Sequence, residues 1–239
     1  MKQIRKEIFK LVKNEYEAKR AASFIPGKTP IQVSGRVYDH TDINSLIDSA
    51  LDFWLTSGRF NSKFEQKLSK FININNVTTC NSGSSANLLA FSSLTSHLLK
   101  DSALKPGDEI ITLATSFPTT VNPILQHNCV PVFVDIDIPT YNIDCTKLER
   151  AISKKTRAIF IAHTLGNPFN IQKVLEIAKK HNLYLIEDSC DALGSEYNGK
   201  HVGTFGSLGT LSFYPAHHIT MGEGGVVFTN RKLLNKALR

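Results

Sequence analysis

The stretch Leu211-Ser212-Phe213-Tyr214-Pro215-Ala216-His217-His218-Ile219-Thr220-Met221-Gly222-Glu223-Gly224-Gly225 holds two adjacent imidazoles, a hydroxyl and a glycine-rich turn. Imidazoles exchange protons near neutral pH, so a loop of this make-up can house a general base. It also fits a surface loop with one His in solvent and the other hydrogen-bonded. Lys is absent from 201 to 230, so no amine nucleophile stands near these groups in sequence.

Three further stretches carry chemistry. Asn81-Ser82-Gly83-Ser84-Ser85-Ala86-Asn87 follows a strand and opens a helix. Gly83 allows close backbone approach, and free N–H groups at a helix start attract phosphate. The alternative is an ordinary Ser N-cap. Thr115-Ser116-Phe117-Pro118-Thr119-Thr120 places an aromatic just past a strand, where Phe117 can stack on a flat ring or fill the core. Leu185-Ile186-Glu187-Asp188-Ser189-Cys190-Asp191-Ala192 ends an apolar strand in carboxylates. Buried carboxylates need partners: a protonated ring nitrogen is one, a helix cap or structural ion pair another. His163 is taken as a satisfied polar residue.

The elements that position these groups alternate. Strands are expected at 77–80, 109–114, 131–136, 157–162, 184–187, 209–214 and 225–229. Helices are expected at 86–100, 118–127, 146–152 and 171–181. This rhythm predicts an α/β fold with a largely parallel sheet covered on both faces, and ligands at the carboxyl ends of its strands. Two helices, 44–55 and 62–71, precede it, the second with Ser62 as N-cap and Glu65 closing a capping box. The Pro- and Gly-punctuated linker at 24–30 sets off a leading amphipathic helix and a turn-rich arm.

Of the net charge of +7, five units fall in residues 1–28, which carry eight basic and three acidic side chains. That segment lacks Arg clusters and interleaved aromatics, so it reads as a solvated helix face rather than a nucleic-acid binder. No apolar run reaches membrane-spanning length and no signal core follows Met1, which predicts a cytoplasmic chain without membrane contact. Cys80, Cys129, Cys145 and Cys190 form no CxxC pair, so spacing encodes neither a disulfide framework nor a zinc site.

Taken together and in this order, the four stretches resemble the DegT/DnrJ/EryC1/StrS sugar aminotransferases and dehydratases, from about residue 40 onward. Glu187-Asp188, Leu211-Ser212-Phe213 and Gly222-Glu223-Gly224-Gly225 carry the resemblance. It implies the fold-type-I architecture of pyridoxal-phosphate-dependent transferases: a large domain built as an α/β/α sandwich on a mostly parallel seven-stranded sheet. It implies residues 1–40 as a helix and arm and 41–239 as the cofactor-binding large domain. The family's small C-terminal domain is expected to be absent from this chain. By position, Gly83, Ser84, Ser85 and Ser212 match groups that hold the cofactor phosphate. Phe117 matches the aromatic on the pyridine ring, and Asp188 matches the partner of its nitrogen. Asp191 falls where aminotransferases carry Gln or His against the ring.

The departure is His217, where aminotransferases of this group carry Lys. An imidazole cannot form a Schiff base with pyridoxal phosphate, but it can act as a base. The resemblance therefore implies non-covalent pyridoxamine phosphate, with His217 removing a proton from its C4′ and the C3 hydroxyl of a nucleotide-linked 4-keto-6-deoxyhexose expelled. Two branches share the His. One is similar to GDP-4-keto-6-deoxymannose 3-dehydratases. The other is similar to CDP-4-keto-6-deoxyglucose 3-dehydrases of 3,6-dideoxyhexose and O-antigen lipopolysaccharide synthesis. The second branch carries a [2Fe–2S] cluster and takes electrons from an NADH-dependent flavin iron–sulfur reductase. The His217 run and the basic leading helix favour the second branch. Cys190 matches a position tied to the cluster, or is a buried inert thiol. A homodimer is implied. A sugar aminotransferase and an inactive, truncated cofactor-binding domain are the competing readings, and His218 is left unassigned.

Overall fold

The computed structural model describes residues 2–20, 24–31 and 37–239. The chain divides into two compact units, 1–63 and 64–239. In the first, α1 (Lys2–Arg20) packs on α2 (His40–Asp52). No described side chain of α1 is buried, as expected of a solvated helix. Arg5 ties it to Asp48 and Asp52, which also pair with Arg59. Asp39 caps α2 in a capping box with Asp42.

The next helix, α3 (Arg59–Ile72), starts three residues before the expected Ser62. The Ser62 N–H already donates to Gly58 O, so Ser62 lies inside the helix and is not its cap. Glu65 serves a distant partner instead: its Oε1 accepts from Thr79 N and Oγ1, both at 2.9 Å.

The second unit is built on β1 (Asn76–Cys80), α4 (Gly83–Leu94), β2 (Glu109–Leu113), α5 (Pro118–Gln126), β3 (Val130–Val134), α6 (Cys145–Leu148) and β4 (Thr156–Ala162). It continues through α7 (Ile171–Lys180), β5 (Tyr184–Asp188), β6 (Glu196–Tyr197), β7 (Lys200–His201), β8 (Leu208–Ser212), β9 (Gly225–Thr229) and α8 (Lys232–Ala237). All seven expected strands join one sheet in the order β1-β9-β8-β5-β4-β2-β3. Only β9 runs against its neighbours; the pairs β8–β5, β5–β4, β4–β2 and β2–β3 are parallel. The β6–β7 ribbon and α8 were not anticipated.

Alternation along the strands explains why both faces are covered. Ile110, Ala158, Phe160, Ile186, Leu208 and Val227 pack with Ala86, Ala90, Phe91 and Leu94 of α4. Their neighbours Ile111, Ile159, Ile161 and Leu185 face the other way, onto Ile171, Val174, Ile177 and Ala178 of α7. Leu211, Val226 and Phe228 meet Leu68 and Ile72 of α3. Two helical layers therefore enclose the sheet. This is the α/β/α arrangement the sequence predicts.

Candidate active site

The carboxyl ends of β1, β2, β4, β5 and β8 open together into a cavity of about 780 Å³. Its lining includes Gly83, Ser84, Phe117, Asp188, Cys190, Asp191, Ser212 and His217 from the sequence reading. Among the described residues no Lys or Arg lines it.

The first wall is the start of α4. Ser82 is its N-cap, accepting the Ser85 N–H at 3.0 Å and lying 3.1 Å from the Ser85 hydroxyl. Ala86 N donates to Ser82 O, so the N–H groups of Gly83 and Ser84 are the ones with no helix acceptor. Ser85 does not line the cavity; it is turned to the cap. Gly83 touches the end of β8 so closely that a Cβ there would lie 2.3 Å from Ser212 Cβ. Gly225 meets Ser82 in the same way, where a Cβ would be 2.2 Å from Ser82 O. Two glycines thus bring a helix start, its free N–H groups and the Ser212 hydroxyl to one place, an anion-binding arrangement.

On the wall contributed by the loop after β2, Phe117 ends that loop and Pro118 opens α5. The Phe117 side chain is 68% exposed, so it is not a core residue. It lines the cavity.

At the floor, β5 delivers two carboxylates with separate tasks. Glu187 is fully buried, and its oxygens accept from the N–H groups of Gly203, Phe205 and Gly206. His163 Nε2 lies 3.1 Å from Glu187 Oε2, and its ring stacks on Phe169 at 4.2 Å. Glu187 therefore holds the 203–206 loop and is structural. His163 is partnered through Nε2, as expected of a satisfied polar residue, while its buried Nδ1 has no partner among the described residues.

Asp188 points the other way, into the cavity. It is 4% exposed and accepts from Asn87 Nδ2 at 2.8 Å and Thr120 Oγ1 at 2.7 Å, both on Oδ2. Its Oδ1 accepts the Cys190 N–H at 3.2 Å. Asn87 is itself fixed by Thr210 Oγ1 at 2.7 Å. These donors fix the orientation of the carboxylate. Asn87, Thr120 and Thr210 were missed as site residues. Asn87 lies on α4, Thr120 at the start of α5 and Thr210 within β8, and no local sequence signal sets them apart.

The last wall is the loop after β8. Phe213 is buried against Phe64, its N–H donates to Gly224 O, and its carbonyl accepts from Met221 N. The loop is pinned at its base, and His217 stands on it with Nδ1 3.1 Å from Asp191 Oδ1. His218 is exposed and outside the lining. Cys190 lines the cavity, but burial and then the Asp188 charge push its thiol well above the ordinary value, so it stays protonated.

The sequence profile of the DegT/DnrJ/EryC1/StrS aminotransferase family matches residues 37–239. The chain belongs to this family. The lipopolysaccharide biosynthesis protein RfbH of Salmonella typhimurium is 55% identical over 236 residues, 98% of this chain and 54% of that protein. A dTDP-4-dehydro-2,6-dideoxy-D-glucose 3-dehydratase of Saccharopolyspora spinosa is 50% identical over 91% of the chain and 47% of its own length. Among solved structures, E. coli GDP-4-keto-6-deoxy-D-mannose-3-dehydratase with bound hydrated PLP superposes with a TM-score of 0.80 at 36% identity, over 86% of this chain and 52% of that one. The chain spans about half the length of the curated relatives it matches. Family membership also accounts for the fold-type-I sheet order. Among the described residues no helix is long and apolar enough to cross a membrane.

Proposed function

We propose that the chain is the cofactor-binding part of a pyridoxamine-phosphate-dependent enzyme that removes the C3 hydroxyl of a nucleotide-linked 4-keto-6-deoxyhexose. One observation carries the reading: an imidazole, His217, stands on the cavity wall, and no lysine lines that cavity. A covalent link to the cofactor aldehyde needs an amine that the cavity does not offer. For the same reason the aminotransferase reading is set aside.

The residues present fit the cofactor. The Gly83 and Ser84 N–H groups with the Ser84 and Ser212 hydroxyls would take the phosphate, and Ser85 supports them through Ser82. Phe117 would lie on the ring face. Asp188, held by Asn87, Thr120 and the Cys190 N–H, would keep the ring nitrogen protonated. Asp191 lines the same cavity beside His217. When bound, pyridoxamine phosphate supplies an amine that condenses with the sugar ketone and a protonated ring that accepts an electron pair. His217 takes a proton from the cofactor's C4′.

The finer assignment is a CDP-4-keto-6-deoxyglucose 3-dehydrase of O-antigen synthesis, acting in the cytoplasm as a homodimer with an NADH-dependent flavin iron–sulfur reductase. The likeness to RfbH, a lipopolysaccharide biosynthesis protein, supports it. The GDP-4-keto-6-deoxymannose substrate is the alternative, supported by the E. coli structure. A [2Fe–2S] cluster does not fit the residues of this chain alone. Among the described residues no three His, Cys, Asp or Glu side chains come together to hold a metal. No step here runs through a cluster.

The test is borohydride reduction of the chain with pyridoxal phosphate, followed by peptide mass mapping, beside a titration with pyridoxamine phosphate. Saturable pyridoxamine phosphate binding without a stoichiometric lysine adduct is expected. A single, fully occupied adduct would overturn the reading.

A further inference from the structure

Two contacts between α4 and β8 lie at opposite ends of the proposed cofactor site. At one, Gly83 packs on Ser212, where a Cβ would lie 2.3 Å from Ser212 Cβ. At the other, Thr210 Oγ1 donates to Asn87 Oδ1 at 2.7 Å, and Asn87 Nδ2 donates to Asp188 Oδ2 at 2.8 Å. We infer that Asn87, itself oriented by Thr210, is a positioning residue that aims the Asp188 carboxylate at the ring nitrogen from the helix that holds the phosphate. This rests on the reading of Gly83, Ser84 and Ser212 as the phosphate site and of Asp188 as the partner of that nitrogen.

The spacings on the two elements agree. Gly83 and Asn87 are four residues apart on α4, a rise of about 6 Å. Ser212 and Thr210 are two residues apart on β8, about 6.6 Å along the strand, and alternation puts both side chains on one face. Thr210 is also the direct neighbour of Asp188 in the β5–β8 pairing. Asn87 therefore bridges two adjacent strands, one helical turn on from the free N–H groups of α4.

The amide has one arrangement that serves both neighbours. Asp188 Oδ2 already accepts from Thr120 Oγ1 at 2.7 Å, and it needs a second donor rather than an acceptor. A reversed amide would set its oxygen against that carboxylate. The Thr210 hydroxyl occupies Asn87 Oδ1 and so fixes which end of the amide faces Asp188. Asn87 is 1% exposed and Thr210 is fully buried, so water does not compete for either bond. Asn87 borders the cavity, whereas Thr210 is not among its lining residues. An effect of Thr210 on the cofactor must pass through a neighbour.

The experiment compares wild type with Asn87→Leu, Thr210→Val and the double variant. Each single change strands a buried polar partner and should lower the melting temperature by about 2–12 °C. The double change puts apolar groups of similar shape in both places, which is close to neutral, so it should melt above the less stable single variant. Cofactor binding should not recover with it. Pyridoxamine phosphate and pyridoxamine should both bind about 10- to 100-fold more weakly to Asn87→Leu and to the double variant. The two ligands should lose by the same factor, because the phosphate cradle is untouched. Thr210→Val should weaken both by about 2- to 10-fold. With nitrogen-15 in its ring, bound pyridoxamine phosphate should give a pyridinium signal in wild type and move toward the unprotonated signal in Asn87→Leu.

A double variant that binds both ligands as wild type does, or that melts no higher than the less stable single variant, overturns the inference. So does a loss confined to pyridoxamine phosphate, which would mean that the changes disturb the start of α4 instead. A wild-type chain that binds neither ligand sinks the functional reading and the inference with it. Wild-type binding with an unmoved ring-nitrogen signal in Asn87→Leu overturns the inference alone.

Discussion

Gly83→Ala tests whether the start of α4 and the end of β8 form one phosphate cradle. The added methyl would sit 2.3 Å from Ser212 Cβ, 2.6 Å from its Oγ and 3.1 Å from its Cα, where ordinary contact begins near 3.4 Å. The hydroxyl can rotate away, but Cβ and Cα cannot. Ser212 pairs with Gly225 in the β8–β9 ladder, and Gly225 is itself pressed on Ser82. The strand end and the helix start must therefore separate by about 1 Å. Overpacking of this kind costs about 1–3 kcal/mol. Alanine in place of glycine returns up to about 1 kcal/mol of helix propensity. The balance is a loss of between about 0 and 3 kcal/mol, or up to roughly 12 °C in melting temperature for a chain of this size. The separation also pulls the Ser212 hydroxyl from the free N–H groups. One lost hydrogen bond to a charged group is worth about 1.5–3 kcal/mol, or about 10- to 150-fold in Kd. Differential scanning calorimetry and a pyridoxamine phosphate titration, both in phosphate-free buffer, read the two effects. A melting temperature that rises with unchanged affinity would mean that only helix propensity matters, and the cradle reading would fail.

Glu187→Gln should cost about 3–5 kcal/mol, because an amide replaces a buried charge that serves three backbone N–H groups; a denaturant midpoint equal to wild type would refute the structural role. Ser84→Ala should weaken pyridoxamine phosphate about tenfold without moving the melting temperature. Its affinity for pyridoxamine, which lacks the phosphate, should not change, and an equal loss for both would remove Ser84 from the phosphate site. Burial pushes the Cys129 thiol up to about 11 and the Cys190 thiol well above its ordinary value, so iodoacetamide should label neither in the folded chain at about pH 8. Fast labelling of Cys190 there would contradict the enclosed thiol. Asp48 and Asp52 are held below the ordinary carboxylate value of 3.8, first by Arg59 and then by Arg5. Their contribution is present above that value and lost as pH falls through the lower, folded values. Protection of the α1 and α2 amides, relative to their intrinsic exchange at each pH, should therefore fall between about pH 4 and pH 2, and unchanged protection would show that these pairs do not hold α1 to α2.

The legible parts of this protein are those set by local rules. Each strand is a short apolar run between breakers, and all seven were placed to within two residues at either end. Gly83 announced itself because a glycine between a strand and a helix has few structural uses. Ser62 shows where local rules mislead. Ser62 and Glu65 have the spacing of a capping box, yet the helix begins at Arg59, because Glu65 is drawn to Thr79 on β1. A motif with the right spacing lost to a partner fourteen residues away.

The adjacent carboxylates of β5 mark the same boundary inside the site. Alternation along a strand requires Glu187 and Asp188 to face opposite sides, and that much can be read from the sequence. Which of them faces the cavity is decided elsewhere. The loop at 203–206 turns its N–H groups onto Glu187, and Asn87, 101 residues before Asp188, turns its amide onto that carboxylate. Sheet order brings those partners together, and sheet order is not local. The same holds for Asp191 and His217, which meet because β5 and β8 are parallel neighbours. The residue types were visible from the start. Their division into a carboxylate bound by the 203–206 loop and carboxylates that line the cavity follows only from which strands lie side by side.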